Sequence, residues 1–318
     1  MPGLIMIRPK LNFSLLSISL GVALAGHISL NLNASPCISN KVKLQVLGSG
    51  GPELDDQRAS TSYLIWVNGK ARLLIDAGAG SSFNYEKTGA KIENLQAILL
   101  THLHVDHSAD IPAYIKASYF TRRNKDLLIF GPAGNQLMPS TSTFIKNLFG
   151  AKAAFRYLNE YINRARQSDY YITAKNVPLN KKKITSFKIS DKIKIKAIAV
   201  HHGPVAAIAW RAEIGNCSIS FSGDMSNKYD SIAALVRNSD LFVAHNAIPE
   251  SAKGIAVFLH MRPSTIGKIS SRARVKKLIL SHRMNRTLGN EKDTLRYIKK
   301  YYKGKISFAN DLDTFSIK

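Results

Sequence analysis

The sequence predicts an α+β domain whose strands deliver their chemistry to one rim. Three observations carry that expectation. Short apolar runs rich in Ile, Leu and Val recur between turn residues, which is the pattern of buried strands. Four of these runs end directly in His or Asp: Leu95–Leu100 into His102, Ile193–Val200 into His201 and His202, Cys217–Phe221 into Asp224, and Lys277–Ser281 into His282. Stretches with apolar residues at helical spacing lie between them.

The first forty residues read as an export segment and linker. Arg8 and Lys10 form a basic start, Leu11 to Ala25 is apolar and uncharged, and Ala23-Leu24-Ala25 offers a small-x-small cleavage site. The apolar stretch is short for a membrane span, so the mature protein is expected to be exported, periplasmic or secreted, without a stable span. Extension through Ile28, Leu30 and Leu32 leaves an uncleaved anchor as the other reading. The folded domain is expected over 41–318.

That domain opens with Lys43–Leu47 and a turn cluster at Gly48–Pro52. Ser62–Val67 and Ala71–Ile75 then flank Asn68-Gly69, a strong hairpin signal. Asp76 follows the second of these strands directly. Asp126–Phe130 reads as another strand. Phe144–Phe149 and Phe155–Ile162 have helical spacing, so a helical insertion is expected at about 135–182. Tyr157, Tyr161, Tyr170 and Tyr171 lie among Arg156, Arg164 and Arg166 there, a mixture that suits either amphipathic helix faces or stacking on bases. Lys181-Lys182-Lys183 reads as a solvated turn.

Composition bounds the function. The 318 residues are 45% hydrophobic, enough for a substantial core, and carry 45 Lys and Arg against 21 Asp and Glu. The net charge of +24 falls almost entirely after residue 40. It favours an anionic partner such as nucleic acid or a phosphate or sulfate ester, or else simply keeps the surface soluble. The two cysteines, Cys37 and Cys217, can pair in an oxidising compartment but cannot build a metal site alone. No Gly-x-Ser-x-Gly elbow and no catalytic cysteine pattern occurs, which disfavours serine and cysteine hydrolases.

The chemistry concentrates at Leu99–Asp110, where His102, His104, Asp106 and His107 fall within six residues. Imidazole and carboxylate together suit zinc, and also manganese or iron. Of the nine histidines, all but His27 lie at or beside predicted strand ends. Adjacent strand residues face opposite ways, so only one of His201 and His202 can join a common site. Asp224 suits either that rim or the N-cap of a helix near Lys228.

His102-x-His104-x-Asp106-His107 resembles the signature of the metallo-β-lactamase fold, a superfamily of mostly binuclear zinc hydrolases. The resemblance implies a four-layer αββα sandwich, two mixed β-sheets flanked by helices. It also implies two zinc ions: His102, His104 and His202 on one, Asp106, His107 and His282 on the other, and Asp224 shared. His202, the residue before Gly203, is favoured over His201. Asp76, His201 and His245 are expected to support ligands rather than to touch metal. From His260 to His282 the chain is similar to the ribonuclease Z branch, where the histidine corresponding to His260 assists the leaving group. Asp106 and His260 are therefore the expected catalytic residues.

Likeness to that branch extends over most of 43–318 and implies hydrolysis by a metal-bridging hydroxide. The bond attacked would be a phosphodiester or a related sulfate ester, with nucleic acid among the candidate substrates and a homodimer among the candidate assemblies. Two features depart from tRNA processing: the export segment, and a tyrosine-rich 151–182 where a glycine- and proline-rich basic arm is expected. A lactonase or β-lactamase of the same fold, and a non-catalytic polyanion-binding protein, are the alternatives.

Overall fold

The computed structural model describes Cys37 and residues 41–317. The predicted export segment and linker therefore lie outside the described residues, apart from Cys37. Among the described residues, no helix is long and apolar enough to cross a membrane.

Among the described residues, fourteen strands form two sheets of seven. In chain order they are β1 (Val42–Gly48), β2 (Ser62–Val67), β3 (Lys70–Ile75), β4 (Ala97–Leu99), β5 (Leu127–Pro132), β6 (Ile172–Val177) and β7 (Thr185–Ser190). There follow β8 (Ile193–His202), β9 (Val205–Ile214), β10 (Cys217–Phe221), β11 (Leu241–His245), β12 (Lys277–Ser281), β13 (Lys305–Phe308) and β14 (Thr314–Ser316). The first sheet runs β14-β1-β2-β3-β4-β5-β6 and the second β13-β12-β11-β10-β9-β8-β7. Each begins as an antiparallel meander and continues as parallel strands, so both sheets are mixed.

The helices are α1 (Ser81–Lys87), α2 (Val105–Ser108), α3 (Ile111–Ser118), α4 (Thr141–Phe149), α5 (Ile232–Leu235), α6 (Ile255–Leu259), α7 (Pro263–Arg272) and α8 (Glu291–Lys299). Three apolar layers hold the four structural layers together. Leu44, Tyr63, Phe130, Trp210 and Phe221 fill the space between the sheets. Leu64, Tyr85, Ile115 and Phe149 join the first sheet to α1, α3 and α4. Phe242, Ile266, Ile269 and Ile298 join the second to α7 and α8. This is the expected αββα sandwich. At its centre the fully buried Trp210 donates its indole N–H to the Leu100 carbonyl at 3.0 Å, so the polar edge of the largest core ring is satisfied.

The predicted hairpin is present, with Asn68 at φ 51° and Gly69 at φ 71°, the two left-handed residues that a tight type I′ turn requires. The stretch 135–182 differs from expectation. Only α4 and a 3-10 turn at Arg156–Tyr161 are helical, and Ile172–Val177 is strand β6, paired with β5 along its whole length. As an edge strand β6 fully buries only Ile172 and Val177 of its six residues, so it carries no continuous apolar run. A disulfide joins Cys37 to Cys217 at the start of β10, with Cα atoms 4.7 Å apart.

Candidate metal centre

The strand ends converge as their sequence implies. Asp76 follows β3, Thr101 and His102 follow β4, and Asp106 and His107 sit in α2. His202 ends β8, Asp224 follows β10, His245 ends β11, His260 caps α6, and His282 follows β12. Asp76 (φ 55°) and His282 (φ 52°) both leave their strands through left-handed backbone, turning the side chain onto the rim. Gly223 (φ 58°) makes the corresponding turn before Asp224, and a Cβ there would lie 2.8 Å from the Thr101 Cβ. Only glycine meets both demands.

Hydrogen bonds fix the tautomers of four imidazoles. His107 Nδ1 donates to Asp76 Oδ2 at 2.9 Å. His202 Nδ1 donates to the Leu259 carbonyl at 2.9 Å. The Thr61 hydroxyl gives its proton to the Gly50 carbonyl, so it accepts from His282 Nδ1 at 2.6 Å. The Thr101 hydroxyl gives its proton to Asp76 Oδ2, so it accepts from His102 Nδ1 at 3.1 Å. With each Nδ1 carrying hydrogen, each Nε2 presents a lone pair. The Nε2 atoms of His102, His107 and His202, and Nδ1 of His260, are buried without a hydrogen-bond partner.

Three of those atoms, on His107, His202 and His260, lie around Asp224 together with His282 Nε2. The Asp224 carboxylate lies 3.4 Å from His282 Nε2, 3.7 Å from His202 Nε2, and 3.8 Å from both His107 Nε2 and His260 Nδ1. Asp106 Oδ2 stands 3.5 Å from His107 Nε2 and 4.0 Å from His282 Nε2. Such separations are too long for hydrogen bonds. Two donors about 2.1 Å from one tetrahedral ion sit roughly 3.4 Å apart, so the spacing suits shared coordination. His102, His104 and His202 form a neighbouring donor group, all within 4.8 Å of one another. Buried orphan nitrogens in this setting fit a divalent metal.

Electrostatics points the same way. Burial alone would raise Asp224, but His282, His260, His245 and His107 hold it well below the ordinary carboxylate range. Asp106 is likewise brought to about 2, with His107 and His282 outweighing burial. Burial keeps His102 well below its usual value, His260 at about 4 and His282 at about 3. Burial thus holds His102, His260 and His282 neutral, whereas in His107 burial is outweighed by Asp106 and Asp76, which raise it well above the usual imidazole value. With the ionised Asp224 and Asp106 these side chains form a donor set that suits a divalent cation.

His245 lies within 4.8 Å of the His107, Asp224 and His282 donor atoms, but its own nitrogens are both engaged. Nδ1 donates to Asp224 Oδ1 at 2.7 Å, and Nε2 accepts from the Tyr63 hydroxyl at 3.2 Å. His201 lies against Tyr229 and Phe258, with Nδ1 on the Ser226 hydroxyl at 2.7 Å. Asp224 caps no helix, because α5 starts only at Ile232 and its carboxylate is engaged with His245. Sequence reasoning missed Thr61, Thr101, Tyr63 and the Leu259 carbonyl. Thr101 carried a usable signal, since it stands directly before His102 at the end of an apolar strand.

The profile of the Metallo-beta-lactamase superfamily matches residues 55–258. The chain is 26% identical over 287 residues to the ribonuclease Z of Mycobacterium marinum, covering 85% of this chain and 97% of that one. It is 30% identical over 188 residues to the ribonuclease Z of a Mycobacterium species (strain KMS), covering 58% and 61%. Among solved structures, human short-form tRNase Z superposes with a TM-score of 0.66 at 18% identity, covering 87% of this chain and 99% of that one. The metallo-beta-lactamase fold protein YhfI from Bacillus subtilis gives 0.65 at 20%, covering 86% and 98%; both likenesses concern the fold. The chain belongs to the metallo-beta-lactamase superfamily, as a ribonuclease Z-like, metal-dependent hydrolase.

Proposed function

We propose that this hydrolase cleaves a phosphodiester, or a related sulfate ester, with two zinc ions. Manganese or iron is the substitute the same donors would accept. His102, His104 and His202 would hold one ion, Asp106, His107 and His282 the other, with Asp224 between them. The observation that carries this reading is the set of buried, unpartnered nitrogens on His102, His107 and His202 together with an ionised Asp224. Bound metal would supply an acidified water and charge stabilisation for the developing oxyanion.

The chain's own residues do the rest. Asp76, Thr61, Thr101 and the Leu259 carbonyl hold the imidazoles in the tautomer that presents Nε2. His245 orients Asp224. His260, at about 4, is neutral near pH 7 and carries one ring N–H. It is therefore suited to hydrogen-bond the departing oxygen rather than to surrender a full proton.

Two observations support a phosphate-bearing substrate: the net charge of +24 and relatives that are ribonuclease Z enzymes. RNA is the natural polymer to test first. The disulfide between Cys37 and Cys217 supports an exported protein, since such bonds persist in oxidising compartments.

The test begins with metal content. Purified protein is expected to hold about two zinc per chain and to hydrolyse bis-p-nitrophenyl phosphate, with EDTA abolishing turnover. Hydrolysis of lactones or nitrocefin without the phosphodiester would replace this reading with the lactonase one. Stoichiometric zinc without any hydrolysis, together with salt-sensitive RNA binding, would replace it with a non-catalytic binder. Compartment is checked separately, by recovering the Cys37–Cys217 disulfide-linked peptide from the exported fraction.

A further inference from the structure

His201, which the metal centre leaves out, stands in the middle of a row of rings on its rim. Tyr229 packs edge-on against it at 5.2 Å between centroids and 79°, and Phe258 at 4.7 Å and 84°. The row is built into the segments that carry the metal donors. His201 precedes His202 in β8, and Phe258 stands two residues before His260. Ser226, whose hydroxyl holds His201 Nδ1, stands two residues after Asp224. Donor atoms of His202, Asp224 and His260 lie within 4.8 Å of one another. Two residues of extended chain span about 7 Å, so the rings begin at a distance that one nucleotide bridges.

Packing alone does not account for the row. Phe258 is 41% and Tyr229 39% exposed, and α6, which carries Phe258, buries none of its residues. Room is nevertheless kept for the Phe258 ring. Gly203 turns the chain at φ 57°, and a Cβ there would lie 3.1 Å from Phe258 Cε1. The exposed Lys181 and Lys228 place ammonium groups 5.1 Å from the Tyr229 ring centre and 5.6 Å from that of Phe258. Such contacts are weak in water, and they show that both ring faces are reached from solvent. Asp230, next to Tyr229, is held by Arg272 through both of its oxygens.

Resting on the reading that the centre cleaves a phosphodiester, we propose that Phe258 and Tyr229 form a base-stacking subsite. It takes a nucleobase beside the bond being cleaved, which makes the substrate a nucleotide phosphodiester rather than a base-free ester. Every base has a π-face, so stacking on aromatic side chains needs no particular sequence. A base settling on these rings displaces a weakly held ammonium, which stays close enough to meet a flanking phosphate.

The test is calorimetric binding to the zinc-loaded protein at physiological salt. It compares 5′-AMP and 3′-AMP with ribose 5-phosphate, which carries a phosphate but no base. The quantity read is the ratio of affinities, so any general change in phosphate binding cancels. At least one AMP isomer is expected to bind about tenfold or more tighter than ribose 5-phosphate, and the isomer preferred shows on which side of the phosphate the base lies. Phe258→Ala/Tyr229→Ala should bring the ratio to about one, whereas Phe258→Tyr/Tyr229→Phe, which keeps both rings, should preserve it. No preference for either AMP isomer, or a preference that survives the double alanine variant, overturns the proposal. Turnover of bis-p-nitrophenyl phosphate is measured separately, so its absence would sink the phosphodiesterase reading without altering the binding ratio.

Discussion

The Asp76 carboxylate and the His107 imidazole are fully buried and joined through Oδ2 and Nδ1 at 2.9 Å. The same carboxylate accepts from the Thr101 N–H at 2.7 Å and the Thr101 hydroxyl at 2.8 Å. One strand-end aspartate thus holds His107 directly and, through Thr101, sets the tautomer of His102. Asp76→Asn puts an amide in that position, which cannot accept from all three donors. An amide N–H facing His107 drives the ring proton to Nε2, where the metal would bind. Metal affinity is expected to fall about 10- to 100-fold with the fold intact, as measured by competition with a chromophoric chelator. Unchanged affinity would show that Asp76 supports only the backbone.

Asp224 and His245 should separate cleanly. Asp224→Ala removes the group nearest to both donor clusters and is expected to lose one of two metals and at least about 10³-fold of turnover. His245→Ala removes only the bond that orients Asp224, so both metals should remain, bound about 10- to 100-fold more weakly. Metal analysis after dialysis, alongside turnover, distinguishes them. Loss of a metal in His245→Ala would make His245 a ligand.

What the residues disclosed in advance follows from burial. Strands inside the sheets, such as Ser62–Val67 and Leu241–His245, are covered on both faces and read as largely apolar runs. Edge strands do not: Ile172–Val177 and Thr185–Ser190 expose much of their length, and the former lay hidden in a stretch that looked helical. The rim was legible because His and Asp at the end of an apolar run have few other uses. Its supports were not. Thr61 and Tyr63 are ordinary strand residues by type, and the Leu259 carbonyl has no residue signature at all. Strand periodicity alone left His201 and His202 open, since a pair at one strand end points both ways; the resemblance favoured His202, and it is His202 that groups with the other donors.

Gly223 is expected to tolerate no side chain. Alanine at φ 58° costs about 1–2 kcal/mol in backbone strain. Its Cβ would also press on Thr101, adding about 1–3 kcal/mol of crowding. Urea unfolding should place Gly223→Ala about 2–5 kcal/mol below the parent by those two costs together. Because Thr101 bonds Asp76, metal affinity should drop as well. A variant as stable as the parent would mean that the Asp224 turn adjusts freely.

Acid should destabilise the metal-free protein well before Asp106 and Asp224 titrate. His282 sits at about 3 and His260 at about 4, against 6.5 for an unperturbed imidazole. Between pH 6.5 and 4 the unfolded chain takes up protons that these folded residues refuse, so stability falls as pH falls. Each such histidine contributes a slope of up to about 1.4 kcal/mol per pH unit. His102, His104 and His245 are shifted in the same direction by burial. His107 has the opposite sign: burial lowers it, but Asp106 and Asp76 raise it well above 6.5. Its contribution is complete below pH 6.5 and is lost only as pH rises through its folded value. Asp106, depressed to about 2, adds stability that is present above 3.8 and lost below it, so it does not act in this window. The EDTA-treated protein should therefore show a urea midpoint that drops steadily from pH 7 to pH 4.5. His260→Gln/His282→Gln should flatten that dependence. A flat parent curve, or an unaltered slope in the double variant, would show that these imidazoles take up protons inside the fold.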